Sequence, residues 1–388
     1  MKFFGLHAGS PSWSCGRLWL LRLGYFKLTR PKERARDWAW IIDHTVQLGA
    51  EKCFVILGVR LSALHGRCLG HEDVEPIALV PVRESNGEIV FKQLEEAVAA
   101  TGVPRQIIGD HGTDLVSGVE RFCRAHPETS CTYDVKHKTA ALLKRELKAD
   151  ARWLSFIGWC SRTASRVRQT DLAPLSPPNQ RAKARYMNID VLIGWGSKAL
   201  SFIDVSPRAA EIDEKLGWIR DYREDLRQWQ ALLAVVAETE SFVRREGLHR
   251  GSHRELKDRL KLLAHTERSR RVGSELLSFV AEEAFKAKPG ERLLGSSEVI
   301  ESVFGKLKHL EHHQANSGFT GLLLSLAALV SKTTIDVIRR SMETVRTREV
   351  WEWCGTRLGK SVQAKKRDLT RCESTEQKWD QIAAAYGT

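Results

Sequence analysis

The spacing of apolar and polar positions divides the chain into two kinds of territory. Between residues 37 and 135, short apolar, β-branched-rich runs alternate with amphipathic stretches. DWAWIIDHTVQLG (37–49) and EKCFVILGVRLSAL (51–64) predict two strands of a hairpin, separated by a turn at Gly49, Ala50 and Glu51, and PIALVPV (76–82) predicts a third. Asn86-Gly87 is a turn signal. IVFKQLEEAVAATG (89–102) repeats its apolar positions every three to four residues, as a helix does, and ends on Gly102, a residue suited to a helix C-cap. RQIIGD (105–110) predicts a short buried strand ending in an acid, 115–125 a helix, and CTYDV (131–135) a last strand. The order β-β-β-α-β-α-β implies an α/β fold with a mixed sheet, antiparallel at its start and built from crossover units afterwards.

From Lys138 onward the alternating pattern fades. The stretch 138–169 carries a helical apolar stripe, APLSPPNQ (173–180) holds three of the eleven prolines and marks a loop or junction, and helical patterns follow near 184–204, 209–246, 252–287 and 294–312. Five of the twelve tryptophans (Trp153, Trp159, Trp195, Trp218, Trp229) fall in this region and suit a helical core better than base stacking. After Asn316-Ser317-Gly318, FTGLLLSLAALVSKTT reads as a buried helix, too short and too polar at its ends to span a bilayer.

Composition changes this picture in one respect. The 388 residues are 42% hydrophobic and 28% charged, as in a folded protein, with a formal net charge of +13. A pI near 9.4 points toward a polyanionic partner. Residues 1–36 carry eight Lys/Arg against one acid and residues 355–371 six against one, a distribution suited either to arms that track phosphates or to solvated basic termini. The eight cysteines contain no CxxC pair, which argues against a zinc ribbon or disulfide scaffold and for a reduced, cytoplasmic setting. Leu18–Leu21 is too short for the apolar core of a signal peptide.

Two acids stand out by position. Asp43 lies at or near the end of the first strand, and Asp110 closes RQIIG and opens the turn DHGTD. Acids at the C-terminal ends of strands project toward the ligand-binding edge of such a sheet, and paired carboxylates are hard donors suited to Mg²⁺ or Mn²⁺. Two such ions can clamp the attacking and leaving oxygens of a phosphodiester. An acid after a strand also commonly caps the following turn or helix, and on position alone Asp114 and Asp134 are equally eligible.

DWAWIIDHTVQLG, ILGVRL, PRQIIGDHGTDLVSGV, YDVKHKTA and SSEVIESVFGKLK together resemble bacterial insertion-sequence DDE transposases with an RNase H-like catalytic domain, over about residues 37–312. That resemblance implies the first catalytic acid on the first strand, the second just after the fourth, and a Glu on a later helix. The matching residues are Asp43, Asp110 and Glu301, the last in SEVIESVFGK. Glu298, one turn earlier, is the alternative third acid, although a place in the first turn after Ser296 or Ser297 gives it a capping role. The resemblance implies metal ligation of Mg²⁺ or Mn²⁺ by the same three acids, DNA contacts from Lys306 and Lys308, which equally suit a plain exposed basic face, and a supporting role for His137 in the short DxxH string Asp134–His137, which is otherwise an ordinary strand end with a solvated His. His44 and His111 adjoin the acids in the same way.

The expected organisation is a basic N-terminal segment at 1–36, the first part of an RNase H-like core at 37–149, a helical insertion at 150–290 of the kind found in hAT- and Mutator-like enzymes, the Glu helix at 291–315 and a basic helical tail at 316–388. The N-terminal segment resembles the end of a longer DNA-binding region, as in a truncated copy. The function implied is metal-dependent strand cleavage and strand transfer on double-stranded DNA, at element ends and target, by a homo-oligomer in the cytoplasm or nucleoid with no membrane partner. The alternatives are another RNase H-fold nuclease and a transposase-derived DNA-binding protein without catalysis.

Overall fold

The computed structural model describes residues 11–44, 52–63, 67–110, 112–179, 186, 189–205, 210–312 and 321–358. In chain order the elements are α1 (Trp13–Thr29), β1 (Trp38–His44), β2 (Lys52–Arg60), β3 (Glu75–Val82), α2 (Gly87–Thr101), β4 (Gln106–Gly109), α3 (Thr113–Ala125) and β5 (Ser130–Tyr133). Helices follow: α4 (Val135–Leu147), α5 (Ala151–Val167), α6 (Ile189–Val205), α7 (Ala210–Leu216), α8 (Arg223–Glu246), α9 (Ser252–Leu260), α10 (Glu267–Phe285), α11 (Glu298–His312), α12 (Leu323–Leu329), α13 (Ile335–Thr344) and α14 (Thr347–Leu358). The chain is therefore mixed α/β, with one five-stranded sheet and many helices. The turn expected at 49–51 lies outside the described residues.

The sheet has the order β3-β2-β1-β4-β5. β1 pairs antiparallel with β2 and parallel with β4, and β2 pairs antiparallel with β3, so the sheet is mixed as the sequence pattern implies. β1 and β2 read as nearly continuous apolar runs because both of their faces are covered. Trp40, Ile42, Phe54, Ile56 and Ile107 join Val90, Leu94, Val119 and Phe122 of α2 and α3 in one cluster. Ala39, Ile41, Val55 and Ile108, which alternate with them, are fully buried as well. Asn86 does more than turn the chain: its side chain accepts the Ile89 amide and starts α2 at Gly87. Gly102 ends that helix at φ 88°, a positive φ that glycine adopts without a Cβ clash.

The described residues fall into two compact units, those within 1–64, 69–131 and 297–388 forming the first, and those within 65–68 and 132–296 the second. The first unit contains an element for which the sequence pattern gave no expectation. α1 lies against α12, β3, α13 and α14, with Leu21, Leu324, Val345 and Val350 at the centre of the contact. The helices approach so closely that a Cβ on Gly24 would stand 1.9 Å from the Leu324 carbonyl oxygen. Basic residues of this segment turn inward. The fully buried Lys27 donates to the carbonyls of Ala328 (3.2 Å), Val330 (2.6 Å) and Ser331 (2.9 Å) and to Thr333 Oγ1 (2.6 Å), satisfying the carboxyl end of α12. Arg22 similarly donates to the carbonyls of Val345 and Met342 at the end of α13, and Arg30 pairs with Glu75 at 2.6 Å. Of the eight Lys/Arg that charge counting finds in residues 1–36, Arg22, Lys27 and Arg30 hold protein carbonyls or a carboxylate.

The second unit is helical and begins earlier than the expected boundary at 150, because α4 packs with α8. Its centre is aromatic. Trp153 and Trp229 are buried and meet edge-to-face with centroids 4.9 Å apart, and Phe156 and Tyr222 complete the cluster. Trp159, Trp195 and Trp218 are only half-buried, at the margin of that core. Glu146 and Asp150 bind Arg145, Arg271 and Arg268 beside it. Among the described residues no helix is long and apolar enough to cross a membrane.

Candidate functional site

Strand register brings two of the expected acids to one place. β1 and β4 run parallel with Ile42 opposite Gly109, so the next residue on each chain, Asp43 and Asp110, stands at adjoining C-terminal strand ends. Side chains alternate along a strand. Asp43 therefore shares a face with Ala39 and Ile41, and Asp110 continues the face of Ile108, opposite to the cluster formed with α2 and α3. Each carboxylate is steered by an amide just after it. Asp43 Oδ1 accepts the His44 N–H at 2.6 Å, and Asp110 Oδ1 accepts the Gly112 N–H at 3.0 Å.

The opposite side of the same edge carries a polar network that sequence reasoning resolved only in part. His44 lies across from Phe54 and places Nε2 3.2 Å from Ser85 Oγ and Nδ1 3.8 Å from Asp114 Oδ2. Lys52, the first residue of β2, donates to Asp114 Oδ2 at 3.1 Å, and Ser85 also bonds Asp114. Burial, then Lys52, pulls the His44 pKa down to about 4 against the opposing pull of Asp114 and Asp110, so the ring is neutral near pH 7. Burial works against ionisation of Asp114, but the bonds from Ser85 and Lys52 outweigh it and its pKa falls below the ordinary value. Asp114 was eligible from its place in the turn; its partners on β2 and after β3 have no local sequence signal.

Glu301 lies in the first turn of α11, which packs against β1. Glu298 shares that turn, directly after Ser297, and both glutamates are half-buried. The two lysines of α11 differ. Lys308 is exposed, whereas Lys306, also exposed, donates to His71 Nδ1 at 2.8 Å, and His71 Nε2 meets Ser302 Oγ at 3.1 Å. His137 belongs to the second unit. Asp134 is the N-cap of α4, accepting the His137 N–H at 2.9 Å and lying 3.1 Å from its Nδ1, so the DxxH string acts there as a helix cap. His111 lies outside the described residues.

The donors at the β1 and β4 ends are hard carboxylate oxygens, the chemistry that Mg²⁺ or Mn²⁺ requires. No set of three or more His, Cys, Asp or Glu is gathered closely enough to hold a metal ion among the described residues. The register thus unites Asp43 and Asp110, and α11 carries Glu301 to the neighbourhood of β1. Fold and site define a mixed α/β unit with carboxylates at the adjoining ends of two parallel strands. No protein-family model matches the chain, and no curated protein matches it.

Proposed function

We propose that the chain is a DDE-type transposase with an RNase H-like catalytic domain, cleaving and joining DNA with Asp43, Asp110 and Glu301. The observation that carries this reading is the parallel register of β1 and β4, which sets Asp43 and Asp110 side by side. The acids also stand where the resemblance implies, the first on the first strand and the second just after the fourth. Asp43 and Asp110 would hold the ion, with Glu301 completing the set from α11. When bound, Mg²⁺ or Mn²⁺ supplies charge neutralisation at the attacking and leaving oxygens of an in-line displacement. The chain's own part is orientation. The His44 and Gly112 amides each fix one oxygen of an acid, which sets the direction of the other. Lys308 is placed to meet backbone phosphates, and the net charge of +13 favours the encounter with DNA. In cleavage, water attacks the phosphodiester at the element end and the 3′ oxygen leaves as a hydroxyl; in strand transfer, that 3′-OH attacks a target phosphodiester at the same acids and displaces a target 3′ oxygen, in a homo-oligomer on the DNA.

The test is cleavage of DNA carrying the ends of the encoding element, with Mg²⁺ or Mn²⁺, by the full chain and by Asp110→Asn. Metal-dependent nicking by the parent and none by the folded variant is expected. Cleavage retained in Asp110→Asn refutes the assignment, and DNA binding without cleavage by either points to a non-catalytic derivative.

A further inference from the structure

We propose that Asp114 is the positioning residue of the acid pair, acting with Lys52 to fix the turn that presents Asp110. This inference rests on the metal-dependent reading above. Asp110 directly follows β4, and Asp114 lies in the first turn of α3, two residues after its N-cap Gly112. The position that a Cβ on Gly112 would occupy is 3.3 Å from Asp110 Oδ1 and 3.2 Å from Asp114 Oδ1, so the two carboxylates flank a single backbone point. Asp110 Oδ1 accepts the Gly112 amide, a contact within its own loop. Asp114 ties the turn to the rest of the sheet edge. Its Oδ2 takes the Lys52 ammonium of β2, it is bonded by Ser85 beyond β3, and it faces His44, the residue after Asp43.

One carboxylate thus connects the ends of β1, β2 and β3 to the turn that carries Asp110. The network is partly shielded, with side-chain exposures of 11% for His44, 19% for Asp114 and 28% for Lys52. Shielding strengthens these bonds relative to those of exposed pairs. The lysine gives the turn its anchor without contributing a donor to any ion at Asp110. Groups that orient a metal-binding carboxylate without touching the ion typically alter metal affinity about 10–100-fold when removed.

The experiment measures cleavage of element-end DNA against Mn²⁺ concentration for the full chain, Asp114→Asn, Lys52→Met and the double variant, with thermal melting alongside. Asp114→Asn should raise the half-saturating Mn²⁺ at least tenfold and lower the rate at saturating metal by a smaller factor. Lys52→Met should shift half-saturation in the same direction, and the double variant should shift it no further than the larger single effect. A purely structural role would lower the melting temperature of Asp114→Asn and leave half-saturation in place. Unchanged half-saturation in a folded Asp114→Asn, or full additivity in the double variant, overturns the positioning role while leaving the cleavage reading intact. A parent chain that neither binds Mn²⁺ nor cleaves overturns both.

Discussion

Adding one methyl group at Gly24 provides a sharp test of how α1 joins the first unit. In a solvent-facing helix, Gly→Ala stabilises by about 0.5–1 kcal/mol, because alanine loses less backbone entropy on folding. Gly16 is such a position: it sits on the same helix with nothing within 4 Å of a new Cβ. At Gly24 the Cβ would stand 1.9 Å from the Leu324 carbonyl oxygen and 2.8 Å from its carbonyl carbon, where real contacts stay above 3.0 Å. The obstacle is backbone and cannot rotate away, so α1 and α12 must part by about 1 Å, with the overpacking cost of about 1–3 kcal/mol or more. The same movement stretches the Lys27 bonds to Ala328 and Val330, which adds to the loss. The steric term exceeds the propensity gain. Urea unfolding at constant slope should show Gly24→Ala destabilised by about 1–3 kcal/mol and Gly16→Ala stabilised by up to about 1 kcal/mol. Equal, stabilising effects of the two substitutions would refute the close approach of α1 to α12.

Other expectations follow from individual contacts. Lys27→Met leaves three buried carbonyls and the Thr333 hydroxyl without their donor; a loss of about 2–4 kcal/mol is expected by the same unfolding measurement. In the second unit, burial opposes ionisation of Glu146 and Asp150, yet hydrogen bonds from Arg271 and Arg145 to the first and from Arg268 to the second leave both pKa values lowered. The unfolded chain takes up these protons first as pH drops through the ordinary values of 4.5 and 3.8. Their stabilisation is therefore complete above that range and lost below it, and melting followed from pH 6 to pH 3 should show a decline that Arg268→Met plus Arg271→Met flattens. On DNA, Lys308→Ala should reduce the slope of log affinity against log salt by about one, the change expected for one lost phosphate contact; an unchanged slope removes Lys308 from the interface.

The sheet was legible in the sequence because its signals are local. WAWII and CFVIL carry the continuous apolar pattern of strands covered on both faces, and Gly102 and Asn86 mark helix ends that geometry requires. The acids at 43 and 110 were legible as strand-end residues, but their adjacency depends on the parallel register of β1 and β4, which no local pattern encodes. α1 was missed for a physical reason. Its basic positions interrupt the apolar stripe, and Lys27 is buried because its partners are carbonyls some 300 residues further along. The DxxH string shows the converse limit: Asp134 and His137 have the expected spacing, and a helix cap accounts for their contact. Lys306 likewise looked like a phosphate contact by position, and its ammonium is engaged by His71.

The shared role of the strand-end acids is tested most directly by locating a metal ion. In crystals equilibrated with Mn²⁺, anomalous scattering should give a peak about 2.0–2.3 Å from a carboxylate oxygen of both Asp43 and Asp110. That peak should vanish in Asp110→Asn. A Mn²⁺ site elsewhere in the chain, or none at the ends of β1 and β4 at saturating metal, would contradict it.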